Sequence, residues 1–141
     1  MFVTRKAEFS ASHVCRLESL SDEQNRETFG PAANPNGHGH NYVVEVTLAG
    51  EPHPVTGMVI DLKELKEILE DEIVTPMDHR FLNYEVKPFD KVVPTVENVA
   101  REIWRRLERR LSTSSSNLQN IRVFETPDLY VDVSAGDFAA S

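Results

Sequence analysis

Asn34-Pro35-Asn36-Gly37-His38-Gly39-His40-Asn41-Tyr42 places two imidazoles on either side of one glycine, after a turn-rich segment and before an alternating apolar run. A strand sends residues i and i+2 to the same face. If pairing begins near Gly37, His38 and His40 project together and Gly39 keeps the opposite face clear. Two convergent neutral imidazoles are the beginning of a zinc site, which needs at least one further nitrogen, sulfur or carboxylate ligand. The same two histidines also fit an exposed loop, so the rest of the chain has to decide.

On the C-terminal side, Tyr42, Val44, Val46 and Leu48 alternate with Val43, Glu45 and Thr47, which predicts a strand. Pro52 to Gly57 turns the chain, and Met58-Val59-Ile60 is expected to return it as a hairpin-like partner, with His53 exposed in the turn. Asp61 caps a helix, with Glu64 completing a capping-box pattern. Leu62, Leu65, Ile68, Leu69 and Ile73 carry its helical spacing, Pro76 ends it, and Met77 to Asn83 read as a loop. Thr95 caps the longest helix, whose apolar stripe is Val96, Val99, Ala100, Ile103, Leu107 and Leu111. Five arginines between 101 and 110 are interleaved with Glu102 and Glu108, the pattern of a solvated face more than of an anion site. Ser112 to Asn117 is a polar connector. Ile121–Glu125 and Leu129–Val133 are two strands around a Thr126-Pro127-Asp128 turn, and the tail after Ala135 is expected to fray.

On the N-terminal side, residues 2–10 alternate loosely as a first strand that runs into Ser10-Ala11-Ser12-His13. Residues 14–36 are polar, with a short capped helix suggested by Ser21 to Arg26 and irregular backbone imposed by Gly30, Pro31, Pro35 and Gly37. A loop this long inside a compact domain is usually functional or disordered, and this one delivers the chain to the histidine pair. The order of two strands, helix, helix, two strands is an α+β pattern: a four-stranded antiparallel sheet with two helices on one face, a single domain over residues 1–141. Because His13 ends a strand that can pair antiparallel with the one starting at His40, it is the best third metal ligand. Three imidazoles leave zinc's fourth position open, as catalytic sites do.

The totals exclude some classes. A net charge of -8 argues against a nucleic-acid-binding surface, without excluding a local basic pocket for a small anion. The single cysteine, Cys15, allows no intrachain disulfide. No segment has the apolar run of a signal sequence or a membrane span, so the expectation is a cytoplasmic protein with no membrane partner.

The chain resembles the 6-pyruvoyl-tetrahydropterin synthase family through Phe9-Ser10-Ala11-Ser12-His13, Asn34 to Tyr42, Asp61 to Lys66, Met77-Asp78-His79, Thr95 to Ala100 and Phe124-Glu125-Thr126. The related 6-carboxytetrahydropterin synthases share the His-Gly-His pair but usually carry a shorter segment before it. The resemblance implies a tunnelling fold whose trimers close into a β-barrel and stack in pairs as a hexamer. It implies Zn2+ held by His13, His38 and His40, and 7,8-dihydroneopterin triphosphate as a pterin substrate that loses triphosphate. Glu125 matches the pterin anchor, Thr95 a secondary pterin contact, and Asp78 with His79 the proton-transfer pair.

One position departs from this pattern. The pyruvoyl branch has a catalytic cysteine six residues before the first histidine of His-Gly-His, and here that residue is Ala32, next to Pro31 in place of the familiar lysine. Three readings follow from the resemblance. His79 or Cys15 takes over as base and the pyruvoyl product is kept; or a different pterin is made, as in the 6-carboxy enzymes of the deazapurine (queuosine) pathway; or the chain binds pterin without turnover.

Overall fold

β1 (Phe2–His13) and β2 (His38–Gly50) lie antiparallel from end to end, with Phe2 opposite Ala49 and His13 opposite His38. The computed structural model describes residues 1–113 and 115–138. β4 (Ser116–Thr126) pairs with the other edge of β2, and β5 (Leu129–Val133) folds back on β4, both antiparallel. The sheet has five strands, not four, in the order β3-β1-β2-β4-β5. The addition is β3 (Arg80–Phe81), two residues running parallel to Ala11 and Ser12 inside the stretch expected to be loop. Two residues carry no alternation, so the sequence pattern has nothing to detect.

The alternation of β2 sends Tyr42, Val44, Val46 and Leu48 inward, each fully buried. α2 (Leu62–Leu69) and α5 (Val96–Leu111) cover that face, putting Leu65, Ile68, Val99, Ile103, Trp104 and Leu107 into one core with the strands. Both caps form: Asp61 accepts from the Lys63 N–H at 2.9 Å and Thr95 from the Asn98 N–H at 3.3 Å. α1 (Asp22–Phe29) is closed by a reciprocal capping box between Ser21 and Gln24.

Three expectations are corrected. Met58–Ile60 forms no strand, because β1 and β4 already occupy both edges of β2; Val59 is buried against Gly50 instead. The second helix does not stop at Pro76. It widens into a π turn over Glu70–Val74 and continues as α3 (Thr75–Met77), the wide turn accommodating a residue without an N–H. β4 begins at Ser116, inside the expected connector, because a bulge at Gln119 shifts its register against β2. That extra residue lets Leu118 and Ile121 both face inward, which breaks the period-2 pattern.

Between β3 and α5 the chain makes one short helix, α4 (Leu82–Glu85). After β5, Ala135–Asp137 form a 3-10 turn and Phe138 stacks on Trp104 at 5.8 Å, so this part of the tail is docked; residues 139–141 lie outside the described residues. Among the described residues no helix is long and apolar enough to cross a membrane.

Candidate functional site

One end of the sheet gathers the chemistry. β1 finishes there with His13, β2 starts there with His38 and His40, and β4 finishes there with Glu125. The register places His13 opposite His38 and Ala11 opposite His40, and the pleat turns all three imidazoles to the helix-covered side. Their ring centroids are 4.6, 5.1 and 4.9 Å apart, and one ring nitrogen from each lies within 4.8 Å of the others. Gly37 makes the approach possible. Its φ of 74° is left-handed, and a Cβ there would stand 2.9 Å from the Phe81 ring.

The protonation pattern suits a metal. His13 is 1% exposed, and its Nδ1–H donates to the Pro94 carbonyl at 2.7 Å, which leaves the lone pair on Nε2. That Nε2 lies 3.0 Å from the His38 Nε2. Zinc bound tetrahedrally at about 2.0–2.1 Å would hold its nitrogen ligands roughly 3.3 Å apart, close to this spacing. The His13 imidazole is pushed down to about 4, first by burial and then by the neighbouring His38 and His40, against the raising effect of the Pro94 carbonyl. His40 is lowered too, by burial and then by His38. Its Nε2 is buried with no hydrogen-bond partner among the described residues, an arrangement that costs about 1–3 kcal/mol unless something takes up the lone pair. A neutral, orphaned imidazole nitrogen beside two others is what a divalent cation with nitrogen ligands requires, so the three residues fit zinc.

Glu125 extends the site away from the histidines. Its Oε1 lies 3.6 Å from the His40 Nε2, and its carboxyl is held above the usual range by burial and then by the Glu97 charge. Thr95, at the start of α5, accepts the Asn98 N–H and retains its own O–H to donate. Cys15 is buried. Its thiol points at the Pro94 carbonyl at 3.9 Å and is pushed up to about 11 by burial, then by Glu125 and Glu97. The Cys15 N–H donates to the Ala32 carbonyl at 2.9 Å, fastening the 3-10 turn Gly30–Ala33 beside the site.

Asp78 and His79 are brought together, but not with the triad. They touch each other at 2.8 Å on the edge of β1 that faces away from β2, just before β3, where the Ser10 N–H donates to Asp78 and the His79 N–H donates to the Ser10 carbonyl. The His79 side chain is 82% exposed, and among the described residues no hydrogen bond or ion pair links this pair to the histidines.

Tyr42, Pro94 and Glu97 escaped the sequence reading. Tyr42 had a signal, since it follows His40 by two residues on the inward face and its O–H lies 3.4 Å from the His13 Nδ1. Pro94 contributes a backbone carbonyl, which no residue type announces.

A family model described as 6-pyruvoyl tetrahydropterin synthase matches residues 2–135. The Homo sapiens 6-pyruvoyl tetrahydrobiopterin synthase is 48% identical over 124 residues, 88% of this chain and 84% of that protein. The Rickettsia bellii 6-carboxy-5,6,7,8-tetrahydropterin synthase is 28% identical over 146 residues, 92% of this chain and 97% of that one. The solved structure of the Caenorhabditis elegans 6-pyruvoyl tetrahydropterin synthase superposes with a TM-score of 0.89 at 40% identity, covering 96% of this chain and 95% of that one.

Proposed function

The chain belongs to the 6-pyruvoyl tetrahydropterin synthase family, and from that premise we propose that it is a zinc-dependent lyase that acts on 7,8-dihydroneopterin triphosphate and releases triphosphate. Its fold is the tunnelling fold of those enzymes, and its relatives are tetrahydropterin synthases. The observation that carries the finer reading is the convergence of His13, His38 and His40, with the buried His40 Nε2 left without a hydrogen-bond partner among the described residues, beside Glu125.

His13, His38 and His40 would hold the metal. Bound there, zinc supplies a Lewis acid that acidifies the C–H next to the substrate's side-chain hydroxyls. Glu125 accepts the 2-amino and N3 protons of the pterin edge, a bidentate match for a carboxylate, and Thr95 adds a hydroxyl nearby. Asp78 accepts from the His79 Nδ1–H, so the His79 Nε2 is free to take a proton and later return it. Cys15 takes no part in proton transfer, because its thiol stays protonated far above neutral pH.

The exposed Asp78–His79 pair is completed by assembly. Across the sheet β1, β2, β4 and β5 alternate in direction, so β5 starts at the end of the sheet that carries the histidines. A second copy whose β1 edge added to β5 would bring its own Asp78 and His79 to that end, near Glu125. Exposed Phe2, Leu129 and Tyr130 lie on these strands, which supports a ring of copies and, from the family pattern, a hexamer of two trimers.

The higher identity to the human pyruvoyl enzyme than to the Rickettsia carboxy enzyme supports the pyruvoyl product over the 6-carboxy one. The test of the metal is its stoichiometry. One zinc per chain is expected in the wild type, and His38→Ala and His40→Ala should lose it; full retention in both variants contradicts the site.

A further inference from the structure

A cavity of about 590 Å³ opens behind the Gly30–Ala33 turn, lined by Arg16, Asp22, Arg26, Pro31, Ala33 and Asn34 among others. The turn that walls it is tied to the site, because the Cys15 thiol and the His13 Nδ1 both lie against the Pro94 carbonyl. Arg16 follows Cys15, whose N–H holds the Ala32 carbonyl, and the turn leads through Asn34 and Gly37 into His38.

The chain has a net charge of -8, and Glu97 and Glu125 act on the same site. A multiply charged anion approaching such a surface needs cations placed locally. We propose that this cavity is a polyphosphate-binding site in which Arg16 and Arg26 are the anchors, receiving the phosphate chain of a ligand whose other end lies toward the histidines. The proposal rests on reading the substrate as a phosphorylated pterin.

Arg16 pairs with Asp22, and Arg26 lies near enough to act on the same carboxylate. Arg16 Nη2 donates to it at 2.8 Å, and Arg26 stands one helical turn further along α1, on the same face. The Asp22 side chain is 80% exposed, so this pair is screened by water and readily exchanged for a phosphate oxygen. Asp22 therefore holds Arg16 in position without occupying the cavity permanently. Arg26 makes no ion pair among the described residues, which leaves its guanidinium fork open. Guanidinium suits phosphate because its planar N–H pairs match two oxygens at once. Two forks separated by an exchangeable carboxylate suit a chain of phosphates better than a single one.

The test uses inorganic tripolyphosphate as the probe, titrated by calorimetry into the intact protein. Wild type should bind tripolyphosphate about tenfold or more tighter than orthophosphate, and Arg26→Gln should weaken it by about tenfold, the effect of one charge-assisted contact. Arg16→Gln/Arg26→Gln should abolish the preference. Arg26 is exposed and unpaired, so its variant should fold even if the double variant does not. Unphosphorylated dihydroneopterin is titrated alongside, and its affinity should not change in Arg26→Gln. Arg26-dependent tripolyphosphate binding without any dihydroneopterin binding supports this site and counts against the pterin reading. Equal tripolyphosphate affinity in wild type and Arg26→Gln overturns the proposal.

Discussion

The Asp78 carboxylate and the His79 imidazole, consecutive in the chain, meet at 2.8 Å, and they do so because His79 has a φ of 60°. A left-handed residue other than glycine is uncommon, and here it turns the His79 ring back onto its predecessor. Ser10 clamps the arrangement from both sides, its N–H on Asp78 and its carbonyl on the His79 N–H. The Ser10 N–H and then the His79 ring hold the Asp78 carboxyl below the usual carboxylate range. It therefore remains an acceptor at neutral pH and fixes the imidazole with Nε2 outward.

If this pair moves the proton, His79→Asn should lower turnover by about 10²–10⁴-fold while the protein melts close to wild type. Asparagine is the informative replacement, because it tolerates positive φ and so separates lost chemistry from backbone strain. Asp78→Asn should also slow the reaction. An unchanged rate in His79→Asn, with zinc retained, would show that the proton goes elsewhere.

Cys15→Ala should leave turnover nearly unchanged. The thiol is pushed up to about 11 and aimed at the Pro94 carbonyl, so almost none of it is thiolate at neutral pH. Steady-state rates of Cys15→Ala and His79→Asn, measured side by side on 7,8-dihydroneopterin triphosphate, decide between them. A large loss in Cys15→Ala with His79→Asn still active makes Cys15 the displaced base.

Much of this was legible in the sequence. The alternation from Tyr42 to Leu48 and the stripe from Val96 to Leu111 fixed the sheet face and its covering helix. With β1 and β2 as antiparallel partners, His13 falls opposite the His-Gly-His pair. What stayed hidden depends on backbone. The Asp78–His79 contact needs a left-handed residue that spacing cannot reveal. The Pro94 carbonyl that sets the His13 tautomer belongs to a residue whose side chain plays no part. The bulge at Gln119 concealed five residues of β4 because it shifts the inward face by one position.

Glu125→Gln should weaken pterin binding more than it lowers stability. The amide keeps the shape but presents a donor where the pterin edge also donates, and an unpaired buried N–H costs about 1–3 kcal/mol. Fluorescence titration with dihydroneopterin, alongside thermal melts, reads both effects. Unchanged affinity would reduce Glu125 to a strand residue.

The metal-free protein should lose stability as pH falls from about 6.5 toward 4. His13 has a folded value of about 4, below the ordinary 6.5, so in this window the unfolded chain binds a proton that the folded chain refuses. The stabilisation is complete above the ordinary value and is lost as pH falls through the window. Thermal melts at pH 7.5 and 4.5 should show a smaller drop for His13→Gln than for wild type. Equal drops would mean that His13 is not held neutral by its surroundings.

The most direct measurement is to incubate the zinc-loaded protein with 7,8-dihydroneopterin triphosphate and identify the products by mass, with His38→Ala as control. The account predicts release of inorganic triphosphate and formation of the 6-pyruvoyl pterin, at a reduced rate because Ala32 carries no proton-moving group, and neither product from His38→Ala. Zinc-loaded wild type that binds the pterin but releases no triphosphate, or a His38→Ala variant that works equally well, would contradict it.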